Sequence, residues 1–470
     1  MIASPPSPGA RPLHVVIMAA GKGTRMKSGE AKVLHRTAGI SLIEHVLRAV
    51  APLGPESVVV VVGHMANQVA ATLDNRPNLT TALQEPQLGT GHAVLQAEPP
   101  LRGKDGTLLL LSGDVPLMRT DTLRKLVRHH HATGATATVL TAEFEVPEGY
   151  GRIVRTDGLI SAIVEHKDAS PAERQIREIN SGIYAFDLER LFPALRQIGS
   201  ANAQGEYYLP DLVRIFRDQG HRVEGLRIDD PGEILGVNSR RELADTSAVL
   251  RDRKNDELMA SGVTIVDPAT TWVQPDVVVG ADTILHPDVY LEGKTTIGSG
   301  CEIHSGVRII DSTLGDRVVV NNFCVIRQSR IADAAQIGPF AQLRPDSLVG
   351  EGAHVGNFVE LKKTTLGKGS KANHLAYLGD ATIGEKVNIG AGTITCNYDG
   401  VNKNPTIIED GAFIGSDSQL IAPVRVGKGA YVAAGSSITE DVPAESLAIA
   451  RGKQVNKPGW IAKAKRQPKG

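Results

Sequence analysis

Residues 279–309 read VGADTILHPDVYLEGKTTIGSGCEIHSGVRI, and an aliphatic side chain returns at every sixth position of this stretch. The repeating residues are Val279, Leu285, Leu291, Ile297, Ile303 and Ile309. Neither an α-helix nor an ordinary β-strand has a period of six residues. The period is typical of a coiled parallel β-solenoid, in which each hexad forms one flat side and points its aliphatic side chain toward the axis.

The same period continues toward the C-terminus, with shifts of phase and one interruption by a loop at residues 396–407. Further members of the series are Leu314, Val320, Ile326, Ile331, Ile337, Leu343, Val349, Val355, Leu361, Leu366, Ala372, Ile383, Ile389, Thr395, Ile408, Ile414, Leu420, Val426, Val432 and Ile438. Three hexads make one triangular coil, so strands of successive coils stack at roughly 4.8 Å. We therefore predict a solenoid domain over residues 262–470, ending in a basic tail after Arg451.

The composition limits the class of protein. At 470 residues the chain is too long for a single hydrophobic core. Charged residues are 22% and the formal net charge is −1, which indicates neither a nucleic-acid partner nor binding to an anionic membrane. Cys301, Cys324 and Cys396 show no metal-ligand spacing, so we expect free thiols in a reducing compartment. Because no apolar run could span a bilayer and residues 1–11 lack a signal-peptide pattern, we expect a cytoplasmic protein.

Short apolar strands alternate with helical stretches over residues 13–240. The predicted strands are Leu13–Ala19, Ser57–Val62 and Thr107–Leu111, and the predicted helices between them are Ile40–Ala51 and Thr120–His131. This alternation favours a parallel sheet covered on both faces, a Rossmann-like α/β domain over residues 1–240. A polar stretch with leucines at near-heptad spacing predicts a connecting helix over residues 241–261. Ligands of such sheets bind at the carboxyl ends of the strands.

The first predicted strand runs into the glycine-rich loop Ala20-Gly21-Lys22-Gly23-Thr24-Arg25-Met26. Glycines in this place let backbone N–H groups approach phosphate oxygens. The loop is not a dinucleotide fingerprint, because Met26 stands where a third glycine belongs. Arg25 and Lys32 add two cations beside the glycines. By spacing alone, a phosphate-binding loop and a simple tight turn both stay open.

Asp114 lies at the end of an apolar strand, where a carboxylate has no packing purpose. A carboxylate on a rigid strand suits Mg²⁺, which combines a few carboxylates with phosphate oxygens. Because the glycine-rich loop also follows a strand, we favour a metal ligand over a helix cap at Asp114. Asn238, considered alone, is an ordinary helix cap.

Residues 19–26, followed by Lys32-Val33-Leu34, resemble the signature of sugar-1-phosphate nucleotidyltransferases. The resemblance continues at Gln84, Leu88–His92, Ser112–Pro116, Gly149–Arg152, Glu165–Lys167, Asn180–Gly182 and Gly236–Asn238. The whole set is similar to that of the bacterial bifunctional N-acetylglucosamine-1-phosphate uridylyltransferase / glucosamine-1-phosphate N-acetyltransferase family. One departure is Ser112, which stands where the family carries an aromatic residue.

The resemblance implies a UTP and UDP-N-acetylglucosamine site in the N-terminal domain. The implied binding residues are Met18, Ala19, Ala20, Gly21, Lys32, Gln84, Gly89, Thr90, Ser112, Gly113, Asp114, Gly151, Glu165, Asn180 and Asn238. It also implies Arg25 and Lys32 as catalytic cations, and Asp114 and Asn238 as Mg²⁺ ligands. Nucleotidyl transfer needs no general base, because the attacking sugar phosphate has a second pKa of about 6 and is already ionised. The protein must instead align two anions and cancel their repulsion.

The predicted solenoid carries polar residues between 358 and 400 that a purely structural coil does not need. Residues about eighteen apart stack on adjacent coils, so Glu360 and Tyr377 are predicted neighbours, as are His374 and Gly390–Gly392. A corner histidine bonded to the backbone is the simpler interpretation of His374 alone. The charged and amide side chains around it favour an active site.

This segment resembles the acetyltransferase half of the same family. The resemblance implies that His374 removes a proton from the glucosamine amine, since an ammonium cannot attack a thioester, and that Glu360 supports the imidazole. The implied sugar-phosphate ligands are Arg344, Lys362, Tyr377 and Asn388. The implied acetyl-coenzyme A contacts are Ala391, Asn397, Tyr398, Ser416, Ala434 and Arg451.

The resemblance covers Leu13 to Arg451 and implies a two-step enzyme of UDP-N-acetylglucosamine synthesis. The solenoid would acetylate glucosamine-1-phosphate from acetyl-coenzyme A, and the N-terminal domain would join N-acetylglucosamine-1-phosphate to UMP from UTP. It further implies a left-handed β-helix and a homotrimer whose acetyltransferase sites form where solenoids meet. Two alternatives are a nucleotidyltransferase whose solenoid only oligomerises, and a non-catalytic binding protein of the same architecture.

The histidine run His129–His131 has a simpler interpretation than a metal site, because it lacks acidic or cysteine partners. We expect it to place positive charge at the C-terminal end of a helix.

Overall fold

A computed structural model describes residues 11–74 and 76–464 of the chain. The chain divides into two compact units, Met1–Leu250 and Arg251–Gly470. The division falls inside a helix at Arg240–Ala260, which occupies the stretch predicted as the connection. The expectation that residues 1–11 form no signal peptide concerns a segment of which residues 1–10 lie outside the described residues. Of the basic tail, residues 452–464 are described and exposed, with a short helix at Trp460–Ala464.

The first unit is built on one mixed β-sheet. In spatial order, its main strands are Val223–Arg227, Ala137–Glu143, Glu178–Asp187, Thr107–Ser112, Leu13–Ala19, Ser57–Val62 and Leu79–Leu83, with Arg152–Thr156 and Leu159–Val164 paired beside Glu178–Asp187. A small second sheet joins Arg36–Thr37 to Ile40–Ser41. The central strand Leu13–Ala19 runs parallel to both neighbours, and its residues 15–17 are fully buried.

The expectation of a parallel sheet is wrong at two strands, one of which is Leu159–Val164, antiparallel to Arg152–Thr156. Glu178–Asp187 runs antiparallel to both of its long neighbours, Thr107–Ser112 and Ala137–Glu143. The buried residues of Glu178–Asp187 are Ile179 and residues 183–186, and these apolar positions are compatible with either strand direction. Its orientation therefore cannot be inferred from the residue pattern.

Helices cover the two faces of this sheet. The α-helices of the unit are Leu42–Val50, Ala66–Leu73, Thr90–Leu95, Glu98–Leu101, Thr120–Thr133, Leu188–Leu195 and Asp211–Asp218, and the short 3-10 helices are Thr24–Met26, Lys32–Leu34, Ala51–Leu53, Glu173–Gln175 and Pro231–Ile234. The first α-helix begins after Ser41, whose hydroxyl accepts a hydrogen bond from the backbone of Glu44 at 3.3 Å. This N-cap satisfies one of the free N–H groups at the helix start.

The expectation that His129–His131 supplies positive charge is wrong at His130. Its side chain is buried, and Nδ1 lies 3.0 Å from Thr138 Oγ1. Burial, with the neighbouring charge of His131, lowers the pKa of His130 to about 4. The imidazole is therefore neutral near pH 7 and belongs to the core under the sheet.

The second unit is a three-sided parallel solenoid, as the hexad period predicts. One sheet contains Thr264–Ile265, Ile284–Leu285, Glu302–Ile303, Val319–Val320, Gln336–Ile337, His354–Asn357, Lys371–His374, Asn388–Ile389, Phe413–Ile414, Tyr431–Val432 and Leu447–Ala448. The next contains Trp272–Val273, Tyr290–Glu292, Arg308–Ile310, Val325–Arg327, Gln342–Leu343, Glu360–Lys362, Tyr377–Gly379, Ile394–Cys396, Gln419–Ile421 and Ser437–Ile438. The third contains Val278–Val279, Thr296–Ile297, Thr313–Leu314, Arg330–Ile331, Leu348–Val349, Thr365–Leu366, Ala381–Ile383, Thr406–Ile408 and Val424–Val426.

The predicted hexad residues form the core of this solenoid. All of them are buried, and Leu378 is a further member that the sequence series omitted. A regular coil spans 18 residues, as between Val279 and Ile297. Each one-residue shift of phase shortens a coil to 17, as between Ile297 and Leu314, without breaking the register.

The cysteines are free, as predicted. Cys301 and Cys324 are buried in the solenoid, and burial raises the pKa of Cys324 to about 11. Both side chains pack as small apolar groups. Among residues 11–74 and 76–464, no helix combines the length and apolar character needed to cross a bilayer.

Candidate active sites

The first candidate site lies at the carboxyl ends of the central strands of the N-terminal unit. Lys32 Nζ donates to Asn238 Oδ1 at 3.0 Å and forms an ion pair with Asp114 Oδ2. Asp114 and Asn238 are also joined through the backbone, because Val237 N donates to Asp114 O at 2.8 Å. The structure thus brings together three residues that are separated by up to 206 positions in the sequence.

Two further contacts hold the oxygen ligands in place. Ser112 Oγ donates to Asp114 Oδ1 at 2.6 Å. Asn238 N donates to Glu242 Oε2 at 2.6 Å, at the start of the long helix. Ser112 therefore orients the carboxylate of Asp114. Glu242 was not predicted from the sequence, and its spacing of four residues from Asn238 is a signal that could have found it.

A cavity of about 380 Å³ opens beside this cluster. Its predicted lining residues are Met18, Ala19, Ala20, Gly21, Lys32, Gln84, Gly89, Thr90, Ser112 and Asp114, and the lining residues not predicted are Lys22, Val33, Gln87, Ala93 and Glu206. The buried Gln84 donates through Nε2 to Gly89 O at 3.0 Å. Glu206 comes from a distant loop with no local signal, so sequence reasoning could not place it.

Gly89 allows the loop at residues 88–91 to pack closely against Tyr207. It has φ of +110°, and a Cβ built there would lie 2.7 Å from Tyr207 O. The loop is fixed by hydrogen bonds between backbones: Tyr207 N donates to Leu88 O at 2.9 Å, and Gly91 N donates to Tyr207 O at 2.8 Å. Only glycine meets both the conformation and the close approach.

A second cavity of about 570 Å³ adjoins the first at Asp114. The two cavities share Met18, Thr90, Ser112 and Asp114. The second is also lined by Arg25 and Asn238 from the predicted set, and by Tyr150, Gly182 and Glu242 among others. Asp114 therefore faces two adjoining spaces, as a site with two phosphate substrates requires.

Four predicted residues do not line either cavity. Gly113 contributes backbone only, its N donating to Met18 O at 2.9 Å. Gly151, Glu165 and Asn180 lie together, since Asn180 N donates to Gly151 O at 2.9 Å and a Cβ at Gly151 would lie 3.3 Å from Glu165 Oε1. Burial, together with two nearby carboxylates, raises the pKa of Glu165.

The second candidate site lies along one corner of the solenoid. The strand register pairs Asn357 with His374 on the next coil. Continuing the registers of the same sheet places Ala391, Ser416 and Ala434 on the three following coils. The predicted base and three predicted acetyl-coenzyme A contacts therefore form one column, although 60 residues separate the first from the last.

His374 is exposed, and its ring Nδ1 lies 2.8 Å from Asn357 Oδ1. Glu360, predicted to support the imidazole, instead accepts from Arg344 Nη1 at 2.9 Å. Glu360 is the register partner of Tyr377, as predicted. Asn357 was not predicted, although the eighteen-residue stacking rule could have found it.

Lys362 and the inserted loop form a polar cluster at the next corner of the coil, at the far end of the strand Tyr377–Gly379. Asp380 Oδ2 accepts from Lys362 Nζ at 3.4 Å and from Asn397 Nδ2. A hydrogen bond to Lys362 and the charge of that residue lower the pKa of Lys403. Two lysines so close together favour an anionic ligand. Asp380 and Lys403 were not predicted.

The remaining predicted residues lie on the coils around the column. Arg451 Nη1 donates to Ala434 O at 2.6 Å, so the tail begins against this column. Tyr398 is exposed on the inserted loop, where it pairs with Lys403 in an isolated bridge. Asn388 lies on the strand Asn388–Ile389, one coil after Lys371.

Family comparisons cover both units. The MobA-like NTP transferase domain matches residues 15–261. The bacterial transferase hexapeptide (six repeats) matches residues 276–311, and the hexapeptide repeat of succinyl-transferase matches residues 405–440. The solenoid is therefore a left-handed β-helix of hexapeptide repeats, as the resemblance predicted.

Whole-chain relatives are closely similar. Bifunctional protein GlmU of Exiguobacterium sp. is 52% identical over 446 residues, covering 95% of this chain and 98% of that protein. The proteins of the same name from Halalkalibacterium halodurans and Geobacter sulfurreducens are 49% identical over 449 and 466 residues, each with 95% of this chain and 98% of the relative covered. The chain therefore belongs to the GlmU family, the bifunctional uridylyltransferases and N-acetyltransferases of UDP-N-acetylglucosamine synthesis.

Proposed function

We propose that the two reactions take place at the two sites described above, uridylyl transfer around Asp114 and acetyl transfer along the His374 column. The observation that carries this proposal is the column itself. A solenoid that only oligomerises needs neither an imidazole fixed by an amide nor a cluster of lysines at the next corner of the coil. The same features disfavour a non-catalytic binding protein.

At the N-terminal site, a phosphate oxygen of N-acetylglucosamine-1-phosphate attacks the α-phosphorus of UTP. The new P–O bond forms as the bond to the β-phosphate oxygen breaks, and pyrophosphate leaves. Arg25 lines the second cavity and Lys32 lines the first, so each of the two cavities that meet at Asp114 has one of these cations in its lining. Their charges offset the repulsion between the two anionic substrates.

We infer that Asp114 and Asn238 hold Mg²⁺ when substrates bind. Their oxygens already converge on one cationic group, the Lys32 ammonium. A carboxylate and an amide oxygen leave room for phosphate oxygens and waters, which is the donor set that Mg²⁺ prefers. When bound, the ion would neutralise charge on the phosphates.

At the solenoid site, the amine of glucosamine-1-phosphate attacks the carbonyl carbon of acetyl-coenzyme A. His374 Nε2 accepts the amine proton, the C–N bond forms, and the C–S bond breaks. The proton then passes to the departing thiolate, which leaves as the coenzyme A thiol. Lys362 and Lys403 would bind phosphate oxygens, and Ala391, Ser416 and Ala434 would flank the coenzyme.

We also propose that the chain forms a homotrimer through an apolar corner next to the His374 column. Phe323, Phe340 and Phe358 stack at 5.3 Å and are each about half exposed, and Leu375 continues the column. Each of these residues follows a member of the column that contains His374. Exposed aromatic side chains in a continuous row are typical of a surface that docks another chain. A second copy here would border His374.

Two substitutions test the assignment of the reactions to sites. His374→Ala should lower acetyl transfer by about 10²–10⁴-fold and leave uridylyl transfer unchanged. Asp114→Asn should do the reverse. Loss of both activities in one folded variant would contradict two independent sites. Full acetyl transfer by His374→Ala would favour the oligomerising solenoid.

A third substitution tests the trimer. Phe340→Asp places a charge in the apolar column and should reduce the mass in solution and the acetyltransferase rate, but not the uridylyltransferase rate. Val278→Asp is the control, because it places the same charge at an exposed position of the solenoid outside the apolar column. An unchanged mass for Phe340→Asp would contradict this interface.

A further inference from the structure

Three metal-ligating side chains meet on the solenoid outside both sites. His286 lies on one coil, and Glu302 and His304 flank the buried Ile303 on the next coil. His286 Nε2 is 3.0 Å from Glu302 Oε1, and His304 Nε2 is 3.5 Å from the same oxygen. The two imidazoles stack with ring centroids 4.6 Å apart.

The donor atoms have the spacing of a metal site. One donor from each residue can be chosen so that all three lie within 4.8 Å of one another. Zn²⁺ holds such ligands at about 2.0–2.2 Å, so neighbouring donors of a tetrahedron are about 3.3 Å apart. The two separations to Glu302 are close to that value, and the donors of the two imidazoles lie within 4.8 Å of each other. The three side chains are about one-quarter to two-fifths exposed, so an ion can reach them.

The cluster is local, as a specific site requires. On the following coil, the register puts Asn321 after His304 and Val319 after Glu302, so the charged pattern is not a repeat of the solenoid. The site lies three coils before Asn357, which is about 14 Å along the axis. It shares no residue with the acetyltransferase column or with the Asp114 cluster.

We propose that His286, Glu302 and His304 bind a transition-metal ion of the Zn²⁺ class, with a fourth position open to water. Two imidazoles and one carboxylate suit Zn²⁺ better than Mg²⁺, which prefers oxygen ligands alone. The bound ion joins two consecutive coils near the N-terminal end of the solenoid. Because its ligands come together only in the fold, binding stabilises that end against local unfolding.

Zinc titration of the metal-free full-length chain, against a chromogenic chelator, tests the site. The wild type should bind one tight Zn²⁺ per chain, and His286→Ala and His304→Ala should bind it more than about tenfold more weakly. Glu302→Gln, which keeps the side-chain shape, should also weaken binding. His354→Ala, a histidine of the same sheet outside the cluster, is the matched control and should bind as the wild type does.

Two further measurements separate this site from others. Asp114→Asn, which removes the carboxylate of the proposed Mg²⁺ site, should keep the tight Zn²⁺, and excess Mg²⁺ should not displace it. Co²⁺ should give the visible absorption of a four-coordinate site in the wild type and lose it in His304→Ala. Circular dichroism and acetyltransferase activity show that the solenoid of the histidine variants is folded. Equal Zn²⁺ binding by wild type and His304→Ala, or no tight binding by the wild type, would overturn the proposal.

Discussion

His374 Nδ1 lies 2.8 Å from the side-chain oxygen of Asn357, its register partner on the preceding coil. An amide oxygen only accepts hydrogen bonds, so in the neutral ring Nδ1 carries the proton and Nε2 keeps its lone pair. The contact selects the tautomer that a base at Nε2 needs.

Replacing Asn357 by alanine should therefore slow acetyl transfer by about 10- to 100-fold, less than the loss of His374 itself. Uridylyl transfer measured on the same sample should not change. Asn322→Ala is the matched control, because Asn322 lies in the same column two coils earlier and its amide contacts Ser305 O. A wild-type acetyl-transfer rate in Asn357→Ala would mean that another group, such as Glu360, orients the ring.

Lys32 should matter for uridylyl transfer far more than its exposed neighbours do. Lys32→Gln removes the ammonium between Asp114 and Asn238, and the rate of pyrophosphate release should fall by at least about 10²-fold. Lys27→Gln changes an exposed lysine of the same loop and should leave the rate nearly unaltered. Similar losses in the two variants would show that only the net charge of the loop counts.

Gly89 offers a test of the close approach between two loops. Gly89→Ala forces a Cβ against Tyr207 O and should raise the KM for UTP, because the loop that lines the cavity must move. Gly103→Ala also stands at a positive φ, of +76°, but its Cβ meets no atom within 4 Å. It should leave the KM unchanged. Equal effects would show that backbone strain, and not the contact, is responsible.

His130 should make the protein sensitive to acid. Its pKa is lowered to about 4 in the fold, whereas an unfolded histidine has a pKa of about 6.5. As the pH falls below about 6.5, His130 binds a proton in the unfolded chain but stays neutral in the folded chain. The stability from the neutral imidazole is therefore complete above that pH and is lost toward pH 4, by about 2 kcal/mol at pH 5.

His130→Gln should remove this share of the pH dependence. Urea unfolding followed by helical circular dichroism at about pH 7.5 and pH 5 measures the difference. His221→Gln, at a half-exposed position, is the control and should keep the wild-type dependence. An unchanged pH dependence in His130→Gln would show that His130 can take up its proton in the fold.

Much of the architecture follows from local patterns. The hexad series located the solenoid core from Val279 to Ile438, because a residue that points to a narrow axis must be aliphatic wherever the coil recurs. The apolar runs located Leu13–Ala19 and Ser57–Val62 to the residue. The direction of Glu178–Asp187 could not be predicted, because its apolar positions are compatible with either strand direction.

The sequence by itself determined the repeat, the strand ends and the family, since these depend on periodicity and on motifs of adjacent residues. Only the tertiary structure decided which polar side chains meet. Lys32 donates a hydrogen bond to Asn238, which is 206 positions away in the sequence. Glu360 contacts Arg344, and Asn357 contacts the imidazole of His374. Such contacts depend on side-chain direction at corners and on the packing of distant loops. Neither can be predicted from the local spacing of residues.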